Sequence, residues 1–225
     1  MNVRFLGHAA FELTDGNTTV LVDPFLTGNP KAAASAEEVG ADAILLTHGH
    51  GDHIGDTVAI ARRTGADVVA IVEIANELSG EGLEKVHDPN IGGSVVFPWG
   101  WVRLTPAWHT STTPAGTANT PAGLVVNIGG KTIYHVGDTG LFSDIALAGR
   151  RDELDLALVC IGGHYTMDRH DAVEAVKLIG AKQVIPCHYD TFPPIETDAA
   201  AFKADVEAAC SCEAVILAPG DTHTL

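Results

Sequence analysis

Ala43-Ile44-Leu45-Leu46-Thr47-His48-Gly49-His50-Gly51-Asp52-His53 is a short apolar run that leads into three imidazoles and a carboxylate within six residues, with no lysine or arginine among them. The apolar part has the character of a buried strand, and the following segment, 54–63, carries apolar residues at helical spacing: Ile54, Val58 and Ala61. The histidine run is therefore a strand-to-helix loop. In an open α/β arrangement such a loop lies at the carboxyl end of a strand, where ligands bind. His48 and His50, two residues apart, can point the same way, while Gly49 and Gly51 let the backbone turn. Asp52 and His53 open the helix and face a second position. One loop thus begins two metal sites, each needing ligands from elsewhere.

Working outward, strand patterns are expected over residues 3–6, 10–14 and 18–23, with turn residues Asp15-Gly16-Asn17 between the last two. Residues 26–40 read as a loop with a short helix around 35–39. A strand over 68–72, a helix over about 73–78 and a strand-like stretch over 95–108 follow. A second series opens with a hairpin, 124–128 and 132–136, closed by Gly129-Gly130. A strand over 156–161, a helix over 169–179, a strand over 183–187, a helix over 199–209 and a last strand over 214–217 complete it. Each half begins with antiparallel strands and ends with alternating strands and helices, which predicts sheets covered by helices on their outer faces. No linker divides the chain, so one α/β domain over residues 1–225 is expected.

The composition narrows the function. At 225 residues with 46% hydrophobic content, the chain can build a sizeable core. Its net charge of −16, and basic pairs no larger than Arg62-Arg63 and Arg150-Arg151, argue against counterion-release binding to nucleic acid. No apolar stretch approaches a membrane span, and Met1 to Gly7 enters directly into a strand pattern, so a cytoplasmic protein without membrane partners is expected, with room for a homo-oligomer. The four cysteines, at 160, 187, 210 and 212, suit free thiols.

Three further residues stand at predicted strand ends beside small or turn-forming neighbours, as ligands reaching from loops would: His109, Asp138 in Gly137-Asp138-Thr139, and His188. With the first cluster they make H-x-H-x-D-H, then His, then Asp, then His. This pattern resembles the metal-binding signature of the metallo-β-lactamase superfamily, and the likeness spans nearly the whole chain. Leu6-Gly7-His8-Ala9-Ala10-Phe11, Asp23-Pro24-Phe25, Gly137 to Phe142 and Gly163 to Met167 are similar to a group of uncharacterised metal-dependent hydrolases related to ascorbate-6-phosphate lactonase.

The resemblance implies a four-layer αβ/βα sandwich with two divalent metal ions at one edge. His48, His50 and His109 would bind the first ion, Asp52, His53 and His188 the second, and Asp138 would bridge them. Mostly nitrogen ligands suit zinc foremost, with manganese or iron also compatible. The implied activity is hydrolysis of an ester, lactone or phosphoester bond in a small polar substrate by a metal-bridging hydroxide, with Asp52 orienting the nucleophile. Two other classes share the fold: iron-dependent oxidoreductases, whose diiron members resemble H-x-E-x-D where this chain has His50, and non-catalytic metal-dependent binding proteins. His8, after the first strand, and His164, where the related group commonly carries an acidic residue, are further catalytic candidates. Asp23 is expected to support the site or a ligand imidazole, and Tyr165, Thr110 and Ser111 are weaker candidates for substrate contact. Trp99, Trp101 and Trp108 read as core and its edge. His87, His135, His170 and His223 are expected in ordinary surface or hydrogen-bonding roles.

Overall fold

A computed structural model describes all 225 residues. One sheet is built mainly from the first half of the chain: β1 (Asn2–Gly7), β2 (Ala10–Thr14), β3 (Thr19–Val22), β4 (Ala43–Leu45), β5 (Asp67–Val69) and β6 (Val86–His87). The second holds β7 (Ser94–Phe97), β8 (Gly100–Pro106), β9 (Ala122–Ile128), β10 (Lys131–His135), β11 (Leu156–Cys160), β12 (Gln183–Cys187) and β13 (Glu213–Ala214). The C-terminal β14 (Thr222–Thr224) crosses back to pair antiparallel with β1, giving the orders β14-β1-β2-β3-β4-β5-β6 and β13-β12-β11-β10-β9-β8-β7.

Both sheets repeat one pattern. Read from β14 and from β7, the first three pairings are antiparallel and the last three parallel. It follows that β1, β3, β4, β5 and β6 run one way in their sheet, as do β8, β10, β11, β12 and β13 in theirs. The loops at the carboxyl ends of these strands carry the sequence-selected residues: His8 after β1, Asp23 after β3, residues 48–53 after β4, His109 after β8, Asp138 after β10, His164 after β11 and His188 after β12.

Period-two side-chain alternation assigns the faces. Leu124, Val126 and Ile128 of β9, and Leu156 and Leu158 of β11, meet the first sheet in a core of 40 buried residues. Val125, Ala157 and Val159 face outward to α4 (Ala146–Arg151), α5 (Arg169–Ile179) and α6 (Ala199–Ala209). On the far side, α2 (Thr57–Thr64) and α3 (Val72–Gly80) cover the first sheet with Ile60, Ile74 and Leu78. The result is the expected four-layer αβ/βα sandwich. No helix is long and apolar enough to cross a membrane.

Several local expectations are corrected. The helix expected over 54–63 is two: α1 (Gly51–Ile54) stops at Gly55, whose φ is +41° and whose added Cβ would lie 2.4 Å from the Pro24 carbonyl oxygen, before α2 begins. No helix forms over 35–39. The Ser35 carbonyl accepts from both Glu38 and Val39 in a single turn, and the chain then leaves through Gly40. The strand expected over 68–72 ends at Val69, because Val72 already opens α3. The stretch 95–108 is the β7-β8 hairpin, the strand at 214–217 shortens to β13, and β6 and β14 had no sequence expectation. Trp108 is 71% exposed and outside the core. All four cysteines are free thiols.

Tight α4-α5 packing gives a test of the outer layer. A Cβ on Gly149 of α4 would lie 1.8 Å from the Ile179 carbonyl oxygen. Gly149→Ala is expected to lower stability by about 1–3 kcal/mol, seen as a reduced urea midpoint.

Candidate metal centre

The loop after β4 is held before any metal is considered. Asp23, fully buried, accepts from the Thr47 backbone N–H (2.8 Å), the Thr47 hydroxyl (2.5 Å) and His53 Nδ1 (2.7 Å). Since the Thr47 hydrogen goes to Asp23, His48 Nδ1 at 3.0 Å must donate to the Thr47 oxygen, which frees His48 Nε2 as a lone pair. Asp23 accepts from His53 Nδ1, which turns the other nitrogen, Nε2, toward Asp138. The Gly49 N–H donates to Ser111 Oγ (2.9 Å) and to Asn119 Oδ1 (3.3 Å), which shapes the turn between His48 and His50.

The freed nitrogens converge. His48 Nε2 and His50 Nδ1 face each other at 3.0 Å. Asp138 Oδ2 lies 3.0 Å from His188 Nε2, 3.4 Å from His53 Nε2, 3.6 Å from His109 Nε2 and 3.9 Å from His48 Nε2. Asp52 Oδ2 is 4.0 Å from His188 Nε2. The seven sequence-selected ligand candidates therefore form one cluster. His48, His50 and His109 group on one side, while Asp52, His53 and His188 group with His8 on the other.

This donor set fits divalent metal. Nitrogen ligands at 2.0–2.1 Å from a tetrahedral ion sit roughly 3.3 Å apart, which is the scale of these contacts. His53 Nε2, His188 Nε2 and Asp138 Oδ1 are buried without a hydrogen-bond partner; the 3.0 Å approach of His188 to Asp138 does not have hydrogen-bonding geometry. Buried polar atoms rarely remain unpaired unless an ion or water claims them.

The electrostatics agree. Burial, reinforced by neighbouring imidazoles, holds His48 well below the usual histidine range, and burial likewise lowers His50 and His109, so all three are neutral. Burial opposes ionisation of Asp138, but His188 and His53 outweigh it and keep the carboxyl well below the usual carboxylate range. Asp52 is also lowered, because the His8 hydrogen bond and His53 overcome its burial. His53 is the exception. Burial works against its charge, yet Asp138 and Asp23 prevail and raise it well above the usual range. In the metal-free cluster its proton supplies the positive charge that two buried carboxylates demand.

His8 and His164 part company here. His8 is buried, its Nε2 lies 3.1 Å from Asp52 Oδ2, and its ring is tilted against that of His188 with centroids 4.1 Å apart. His164 is exposed, with its ring edge-on to Tyr165 at 4.5 Å and no hydrogen bond or ion pair to the cluster. Ser111, expected at a substrate, instead holds Gly49. His135 bridges Ala9 and Gly137 in the interior, His87 pairs with Asp67, His223 bonds Gln183 and His170 is exposed. Sequence reasoning missed Thr47, Asn119 and Thr191. Thr47 adjoins the cluster and could have been found; the other two carry no local signal.

A two-sheet sandwich with a histidine and aspartate cluster at the carboxyl ends of its strands defines a metal-binding α/β scaffold. The chain belongs to the metallo-β-lactamase superfamily: the family model described as the beta-lactamase superfamily domain matches residues 18–189. A UPF0173 metal-dependent hydrolase of Pelotomaculum thermopropionicum is 52% identical over 230 residues and all of both chains, and one of Carboxydothermus hydrogenoformans is 46% identical over 228 residues, again all of both. Among solved structures, the metallo hydrolase Igni18 of Ignicoccus hospitalis is similar at a TM-score of 0.90 and 37% identity, covering 99% of this chain and 97% of that one. These relatives are named metal-dependent hydrolases, and the donor set of this chain fits a divalent ion.

Because Asp138 and Asp23 hold His53 well above the usual histidine range, a divalent ion bound at its Nε2 competes with a proton. Calorimetric titration in buffers of different ionisation enthalpy is expected to show proton release, and affinity should fall as pH falls. Asp23→Asn should weaken uptake by roughly 10–100-fold, since it removes the carboxylate that orients His53.

Proposed function

We propose that residues 1–225 act as one domain and as a cytoplasmic dinuclear metal hydrolase that cleaves an ester, lactone or phosphoester bond in a small polar substrate. The supporting observation is Asp138 Oδ2, which lies within 3.9 Å of four ring nitrogens drawn from both groups of ligand candidates, so one carboxylate can serve two ions. His48, His50 and His109 would hold one ion, and Asp52, His53 and His188 the other. The nitrogen-rich set favours zinc, with manganese or iron compatible. When bound, the ions supply Lewis acidity that activates water and polarises the electrophile.

The chain's own residues do the remainder. Asp52 is the most exposed acidic member of the cluster, with a third of its side chain open. It is therefore placed to accept a hydrogen bond from an entering nucleophile and orient it. Buried Asp23 and Thr47 keep the His48 and His53 tautomers fixed throughout the cycle. His164, exposed on the loop after β11, contributes at the substrate end, as a proton donor or specificity contact.

Purified protein is expected to carry two ions per chain by elemental analysis and to turn over at least one member of a panel of phosphodiesters, lactones and thioesters. Asp138→Ala should lose both occupancy and turnover; if it retained two tightly bound ions, the bridging role would be wrong. His164→Ala should keep its metal and change rate or specificity. Stoichiometric iron accompanied by oxygen consumption would sink the hydrolase reading.

A further inference from the structure

Although Asp52 is the open carboxylate of the cluster, one of its oxygens is already claimed. Its Oδ2 lies 3.1 Å from His8 Nε2. A carboxylate only accepts, so Nε2 carries the hydrogen, and a neutral imidazole then presents Nδ1 as an acceptor. That nitrogen is 2.8 Å from Thr191 Oγ1, so the threonine hydroxyl donates to it. The competing acceptor for this hydroxyl, the Tyr189 carbonyl, is farther away at 3.3 Å. A directed chain runs from Thr191 to His8 to Asp52 and joins the loop after β12, the loop after β1 and the first turn of α1.

Packing alone does not fix the His8 ring. It lies tilted against His188 at 4.1 Å and meets Phe25 and Phe192 edge-on at 5.7 and 5.6 Å. His8 also borders a cavity of about 310 Å³ shared with Phe5, Lys31, Tyr189 and Leu217. The two hydrogen bonds choose the ring's orientation. Its backbone is similarly constrained: His8 has φ +60° and His188 has φ +55°, and the His188 N–H donates to the His8 carbonyl at 2.7 Å. Left-handed geometry at two non-glycine residues persists only where the surroundings over-determine it.

We propose that Thr191 and His8 form a buried tether that aims Asp52 at the second metal position: Oδ2, held by His8 Nε2 at 3.1 Å, is the oxygen that lies 4.0 Å from His188 Nε2. Both are positioning residues that act through Asp52 and do not touch substrate. The inference rests on the two-ion reading of the centre, and its measurable consequence is confined to one of the two positions.

Thr191→Val preserves shape and removes the donor. In a competition titration against a chromophoric chelator, it is expected to weaken one of two cobalt(II) ions by roughly 10–100-fold and leave the other unchanged. The visible cobalt spectrum should change only in the component that fills with the weakened ion. Thr191→Ser should restore both, and thermal unfolding of metal-free Thr191→Val should match the wild type. If Thr191→Val does not fold, His8→Gln against His8→Ala carries the same contrast, because the amide still donates to Asp52: the glutamine should retain affinity that the alanine loses. Wild-type affinity for both ions in Thr191→Val, equal weakening of both, or indistinguishable His8→Gln and His8→Ala variants would overturn the tether. A wild type that takes up one ion would overturn the two-ion reading instead, and the tether would then be judged by whether Thr191→Val weakens that ion. Every readout is metal affinity or spectrum, so an absence of turnover on any substrate panel does not bear on it.

Discussion

A carboxylate sealed among imidazoles governs this molecule. Asp138 is almost wholly buried, and an isolated ionised carboxylate in such a place costs several kcal/mol. Four ring nitrogens within 3.9 Å of Oδ2 remove that cost only if positive charge is present among them. Without metal, the His53 proton provides it, held between Asp138 on one side of the ring and Asp23 on the other. A divalent ion supplies more charge and also claims the lone pairs that the protein leaves unpaired. The centre is therefore built as a demand for cations.

The sheets make this arrangement geometrically cheap. Because each repeats the same sequence of antiparallel and parallel pairings, the like-directed strands of both deliver their carboxyl-end loops to a common edge. Candidate ligands 140 residues apart, such as His48 and His188, both reach Asp138 there without any long excursion of chain. The edge is also where backbone strain collects. His8, Asp23 and His188 all have positive φ, and His and Asp are among the residue types that tolerate it. Each is pinned by a bond that a relaxed backbone would break: His188 N–H to the His8 carbonyl, and Thr47 N–H to the Asp23 carboxylate.

Much of this was legible in the sequence, for physical reasons. Candidate ligands announce themselves because few other roles place His or Asp beside glycine at the end of an apolar strand, as at His48 and Asp138. The helices at Arg169–Ile179 and Ala199–Ala209 fell where the pattern placed them because their ends are local: Asp168 and Asp198 accept from the first-turn amides, and Gly180 closes the first of them in a left-handed turn. What failed to show depended on distant chain. The break at Gly55 is imposed by the Pro24 carbonyl, β14 exists only because β1 offers it an edge, and Asn119 and Thr191 act on residues 70 and 183 positions away. Trp108 was placed in the core by its type, but it lies beside His109 on a loop whose backbone is anchored to Thr139 and Gly140, so its indole is left outside.

The repeat also explains how two equivalent aspartates came to do different work. Asp23 follows β3 and Asp138 follows β10, strands that occupy matching places in their sheets, and both reach the same imidazole: Asp23 at Nδ1 of His53 and Asp138 toward Nε2. Asp23 already accepts from three donors, Thr47 N–H, Thr47 Oγ1 and His53 Nδ1. Asp138 keeps Oδ1 without any partner. Thr47 is what separates them, since it delivers two hydrogen bonds to one carboxylate and, through its oxygen, fixes the tautomer of His48. One threonine ahead of the histidine run thus turns the first aspartate into support and leaves the second as the candidate ligand.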